Sequence, residues 1–168
     1  MAAAARGQTS RLRRMTSSAA APPLSAAVVV HDRERARVVL LRRGAGARFG
    51  AGMWDLPLGK CEPGEPVTRG AVRELREETG LVVAEEDLRL ASVVHAAPGI
   101  GSAAGFLTVV FVAERWEGEP VNTEPGKHSE VRWVGTGELP AGEMVLSTDR
   151  MLHRALRGEP VVSLHGWG

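Results

Sequence analysis

A chain of 168 residues with a formal charge of +1 suits one compact domain whose core needs no cross-links. The near-balance of 21 basic and 20 acidic residues excludes the strong basic excess of a dedicated nucleic-acid binder. A single cysteine, Cys61, excludes an internal disulfide, no apolar run reaches the length of a membrane-spanning helix, and a reducing cytoplasm is the expected compartment.

Residues 1–23 are rich in Ala, Ser and Arg, lack a helical apolar stripe and read as a disordered tail. Their basic, acid-free composition also fits an organelle transit peptide, and Met15 an internal start. One domain is expected over residues 24–160, with residues 161–168 left as a short C-terminal tail. Two apolar runs, residues 24–30 and 36–42, flank the charged turn 31–35 and predict a β-hairpin. Residues 44–52 form a glycine-rich loop. A short apolar segment, 54–58, is broken by Pro57.

Residues 59–66 hold two glycines and two prolines and predict a loop. Ala71, Val72 and Leu75 then recur at helical spacing, with Thr68 as the expected N-cap and Gly80 as a left-handed C-cap. That predicts a helix over 68–79. Strands are expected over 88–96, 106–113 and 131–134, the second being the most β-branched and aromatic. The stretch 114–129 is polar and irregular, and 148–157 has helical spacing again. Strands around one helix, then more strands and a final helix, predict an α+β sandwich.

The chemistry concentrates in residues 59–81. Glu74 lies three positions before Glu77 and four before Glu78, so the helix brings the carboxylates together. Clustered carboxylates repel one another unless a cation offsets their charge. Hard oxygen donors suit magnesium, with manganese as a substitute, and such ions bind phosphates.

Gly59, Glu65, Arg73, Glu74, Leu75, Glu77, Glu78, Gly80 and Leu81 together read G-x5-E-x7-R-E-L-x-E-E-x-G-L. This pattern resembles the signature box of the Nudix family at every fixed position. The resemblance implies an α/β/α sandwich with a mixed β-sheet between helices. It also implies a magnesium-dependent hydrolase that cleaves a diphosphate linkage in a nucleoside diphosphate-linked substrate. It places the metal on Gly59 (through its carbonyl), Glu74, Glu77 and Glu78. Arg73 would pair with Glu65 and hold the loop on the helix, pointing away from the acidic cluster.

The segment E-R-W-E-G-E-P, residues 114–120, is similar to that of MutT-type nucleoside triphosphate pyrophosphohydrolases. In that likeness Glu124 completes the site, as a metal ligand or as the base that deprotonates water, with Glu77 and Glu130 as alternatives. Lys60, Arg42 and Trp116 are the candidate substrate contacts. Trp54 and Trp133 are assigned to core packing, and His95 and His128 to ordinary surface. Cys61 is assigned no role.

The chain departs from the family pattern where Leu58 precedes Gly59. It departs again near Leu139 and Pro140, where Glu143 stands in place of a purine-reading asparagine. The expected substrate is a (deoxy)nucleoside triphosphate, cleaved to the monophosphate and pyrophosphate. Hydrolysis of ADP-ribose or a nucleotide sugar is the rival activity, and a non-catalytic nucleotide sensor the rival class. The expected partner is a small nucleotide, with no stable nucleic-acid or membrane association, in a monomer or homodimer.

Overall fold

The structure, a computed structural model, describes residues 21–168; what the sequence suggests for residues 1–20, Met15 included, lies outside them. Strand β1 (Leu24–Asp32) and strand β2 (Arg37–Arg43) form the expected hairpin, with His31 opposite Val38. Ser25 through Val30 are all buried. A run with no alternation means that both faces of the strand are covered.

Two helices supply the cover. Ala26, Val28 and Val30 pack with Ala71 and Leu75 of helix α1 (Val67–Thr79). Ala27 and Val29, pointing the other way, pack with Met151 and Leu152 of helix α2 (Thr148–Leu156). The remaining strands are β3 (Trp54–Asp55), β4 (Leu58–Lys60), β5 (Arg89–Ala96), β6 (Phe106–Ala113), β7 (His128–Gly135) and β8 (Val161–His165). They form one sheet in the order β3-β2-β1-β6-β5-β8, with β4 also paired to β1 and β7 to β2. The β1–β6 and β5–β8 pairs are parallel, so the sheet is mixed. The α+β class and the sandwich of a mixed sheet between helices are both observed.

Three local expectations are corrected. Thr68 is not the N-cap: Pro66 precedes the helix without a side-chain cap, and Thr68 Oγ1 inside the first turn donates to Glu85 Oε2 at 2.8 Å. The loop expected from Gly59 begins as strand β4, with Ala26 opposite Gly59 and Ser25 opposite Lys60. Residues 161–165, expected in a tail, form β8 at the sheet edge beside β5. Gly80 does take the left-handed C-cap, at φ 72°. No helix among the described residues is long and apolar enough to cross a membrane.

Candidate active site

Helix α1 lies on β1 through Ala71 and Leu75, which leaves its acidic side facing β4 and the loop behind it. Gly59 has no side chain, and the Glu74 carboxylate occupies the space where a Cβ would project. Glu78, one turn on, is 5% exposed. Its Oε2 accepts the Leu58 amide at 2.9 Å, and its Oε1 meets His128 Nε2 at 3.1 Å. Burial pushes the Glu78 carboxyl above its usual range, against the pull of His128 and the Leu58 amide.

Arg73 binds the loop and the cluster at once. Its Nε and Nη2 reach the two oxygens of Glu65 at 2.8 and 2.9 Å, and Nη2 also donates to the Lys60 carbonyl at 3.1 Å. The expected pairing with Glu65 is therefore present, and it holds the Glu65 carboxyl down at about 2, helped by the Glu62 amide. Arg73 does not, however, point away from the acids. Its Nη1 lies 2.8 Å from Glu74 and 3.2 Å from Glu77, so the guanidinium offsets their mutual repulsion. Arg73→Ala should lower the melting temperature by several degrees and reduce turnover in parallel, because it frees the loop and leaves three carboxylates without their cation. Melting curves beside steady-state rates check both effects; a normal melting temperature would show that the loop is held by other contacts.

The loop after β6 is moored on the last turn of α1. A helix C-terminus presents carbonyls with no partner inside the helix. The Val121 amide donates to the Thr79 carbonyl at 2.9 Å, the Thr123 amide to that of Glu78 at 3.4 Å, and Thr123 Oγ1 to that of Glu77. Asn122 then accepts the Glu124 amide at 3.2 Å and donates to the His128 carbonyl at 2.8 Å. These bonds bring Glu124 and His128 to Glu78, so that one ligand atom from each lies within 4.8 Å of the others. Glu124 Oε2 is buried without a hydrogen-bond partner. An orphaned carboxylate oxygen in an oxygen-rich donor set fits a hard divalent cation.

The acids therefore divide differently from expectation. Glu78 and Glu124 come together with His128, which is 7% exposed and no surface residue. Glu74 and Glu77 are joined through Arg73, with the Glu77 side chain 51% exposed. Glu130 instead pairs with Arg132 at 3.0 Å.

A cavity of about 230 Å³ opens on the α2 face. Leu58, Gly59 and Lys60 of β4 all line this cavity; side chains alternate along a strand, so the direction in which Gly59 would carry a Cβ is the one that meets Glu74. Cavity and acids thus meet across one strand. Of the candidate substrate contacts, Lys60 lines the cavity. Arg42 lines no part of it, and its Nε donates to the Gly52 carbonyl at 2.9 Å. Its neighbour Arg43 lines the cavity and pairs with Asp55 at 3.1 Å. Trp116 is also absent from the cavity wall; it packs on Trp133 with ring centroids 5.3 Å apart. Glu143 is exposed, and its carbonyl accepts the Trp54 amide at 2.9 Å. His95 packs its ring against Trp167.

Arg43 and Asp55 are the functional candidates that the sequence reading passes over. An acid inside the apolar run Trp54–Leu58 is their one sequence signal. Burial pushes the Asp55 carboxyl up to about 6, although Arg43 and the Leu56 amide oppose it. Between its ordinary value near 3.8 and about 6, the folded chain holds a proton that the unfolded chain has lost. Stability therefore falls as pH rises through that window and does not recover above it. Glu78 adds a slope of the same sign. Melting curves without added metal between pH 4.5 and 6.5 should show the fall, and Asp55→Asn should flatten it; an unchanged slope in that variant would assign it elsewhere.

Residues 21–155 match the NUDIX domain family. The 8-oxo-dGTP diphosphatase of Escherichia coli (strain K12) is 31% identical over 127 residues, which span 74% of this chain and 94% of that protein. The oxidized purine nucleoside triphosphate hydrolase of Danio rerio is 31% identical over 64% of each chain. The crystal structure of a MutT NUDIX hydrolase from Burkholderia pseudomallei superimposes with a TM-score of 0.67 at 29% identity, covering 79% of this chain and 96% of that one. With the box running from β4 through its loop and α1 to the turn after it, and the fold shared over most of its length, this chain belongs to the Nudix family and is a MutT-like Nudix hydrolase.

Proposed function

We propose that the protein hydrolyses a (deoxy)nucleoside triphosphate to the monophosphate and pyrophosphate. The observation that carries this reading is the junction at β4, where the acidic cluster and the cavity face each other across Gly59. A nucleoside lodged in the cavity would carry its phosphates past Lys60 to the acids. The two relatives named for nucleoside triphosphate substrates support the same class.

Glu74, Glu77 and Glu78, with the Gly59 carbonyl, would hold the divalent cation, with Glu124 beside Glu78. Magnesium, when bound there, offsets phosphate charge and lowers the pKa of a coordinated water. Lys60 meets the phosphates from the cavity side. Glu124, with one oxygen on Lys127 at 2.7 Å and the other without a hydrogen-bond partner, would accept the proton of the attacking water. The phosphorus–oxygen bond to the pyrophosphate leaving group breaks as water adds.

The test is product analysis on a panel of nucleoside triphosphates, ADP-ribose and nucleotide sugars, with magnesium or with excess chelator. Pyrophosphate release from triphosphates, abolished by the chelator and restored by magnesium or manganese, is the expected result. AMP release from ADP-ribose alone would move the assignment to the rival activity. Tight nucleotide binding without product would make the domain a sensor.

A further inference from the structure

One row of directly opposed residues runs the length of the cavity floor. Lys60 lies opposite Ser25, Ser25 opposite Thr108, Thr108 opposite Val94, and Val94 opposite Ser163. Directly opposed residues share a face of the sheet, and all five line the cavity. The row crosses β4, β1, β6, β5 and β8 in turn, so four strand spacings, roughly 19 Å, separate Lys60 from Ser163. His165, two positions beyond Ser163 on the same face, extends the wall at the far end.

That end is firmly built. Ser92 Oγ donates to the Val161 carbonyl at 2.7 Å, and the Ala97 amide to the His165 carbonyl at 2.9 Å. Trp167 Nε1 donates to the His95 carbonyl at 3.1 Å, and its ring packs on the His95 ring at 4.6 Å. Strand β8 is therefore pinned to β5 at both ends, with Val162 and Leu164 turned outward at 69% and 60% exposure. The segment matched to the family ends at Ala155, before β8 begins.

We propose that β8 is a specificity wall, with Ser163 and His165 hydrogen-bonding the nucleobase end of a substrate whose phosphates lie at Lys60. The proposal rests on the nucleotide reading above. A hydroxyl and an imidazole each donate and accept, which matches a base edge carrying both kinds of group. A site that hydrogen-bonds its substrate discriminates against analogues that leave those groups unpaired.

The test compares kcat and KM over the four common nucleoside triphosphates for the parent, Ser163→Ala, His165→Ala and His165→Gln. Leu164→Ala, on the outward face of the same strand, is the control. Each alanine variant on the cavity face should raise KM for the preferred base about five- to tenfold, the worth of one net hydrogen bond. It should also narrow the ranking among bases, with kcat within about twofold of the parent. His165→Gln should recover part of the loss, and Leu164→Ala should leave KM unchanged. Binding of the monophosphate product, followed by calorimetry, should weaken in parallel with KM. Two outcomes overturn the proposal: His165→Ala and Ser163→Ala that keep the parent's KM and base ranking, or a Leu164→Ala that shifts KM as far as they do. A parent that hydrolyses none of the triphosphates overturns the substrate reading instead.

Discussion

Glu78→Gln is expected to cut turnover about a hundredfold or more while leaving the protein at least as stable as the parent. The two effects have separate causes. The amide is isosteric, and its oxygen still accepts the Leu58 amide that meets Glu78 Oε2 at 2.9 Å. Burial opposes the charge of the native carboxylate, which is why its pKa rises, and the neutral amide escapes that penalty. Lost attraction to His128 works the other way, but that contact is a single hydrogen bond, and the amide still offers it a partner. The parent's stability should also fall as pH rises through the raised Glu78 titration, and the variant should lack that component. For catalysis nothing compensates, because removing one charged donor from a cation site forfeits several kcal/mol of transition-state stabilisation, and each 1.4 kcal/mol is about tenfold in rate. Melting curves without metal, beside steady-state rates at saturating magnesium, decide the matter. Normal turnover in Glu78→Gln would mean that the box is not the cation site.

What the sequence made legible follows from where each signal resides. Helix α1 was readable from Ala71 and Leu75 because its apolar stripe and its left-handed Gly80 are both local. Buried strands β1 and β6 were readable as apolar runs. The apolar run of β2 hides its parity, since Val38 to Leu41 are all buried and nothing tells which of Arg42 and Arg43 turns inward. A one-residue shift reverses the face, and the register does slip between these two arginines. Strand β8 alternates half-buried and exposed residues, and its partner β5 lies some 70 positions earlier, beyond the reach of any local pattern. His128 escaped for a similar reason: its burial depends on a loop tied to the carbonyls of α1, a contact that spacing alone does not reveal.

Gly59→Ala is expected to reduce turnover about as severely as Glu78→Gln, again with little change in stability, and by a purely steric route. Gly59 is not in a left-handed conformation, so alanine meets no backbone strain there. The added Cβ would instead fall well inside contact distance of the Glu74 carboxyl carbon and both its oxygens. That carboxylate is the far end of a flexible side chain, so it swings away rather than forcing β4 from β1. Leaving, it gives up its 2.8 Å contact with Arg73 Nη1, while Arg73 keeps Glu65 and the loop stays closed. Replacing glycine also restricts the unfolded chain, a gain of roughly 0.4–1 kcal/mol that offsets part of the lost contact. The Gly59 carbonyl survives the substitution, so a loss of turnover reports on Glu74 rather than on the backbone. A double-mutant cycle makes this decisive. If Gly59→Ala acts only by evicting Glu74, then Glu74→Ala alone should cost about as much, and adding Gly59→Ala to it should cost almost nothing further. Additive losses in the double variant would show that Gly59 serves the reaction by some route other than making room for Glu74.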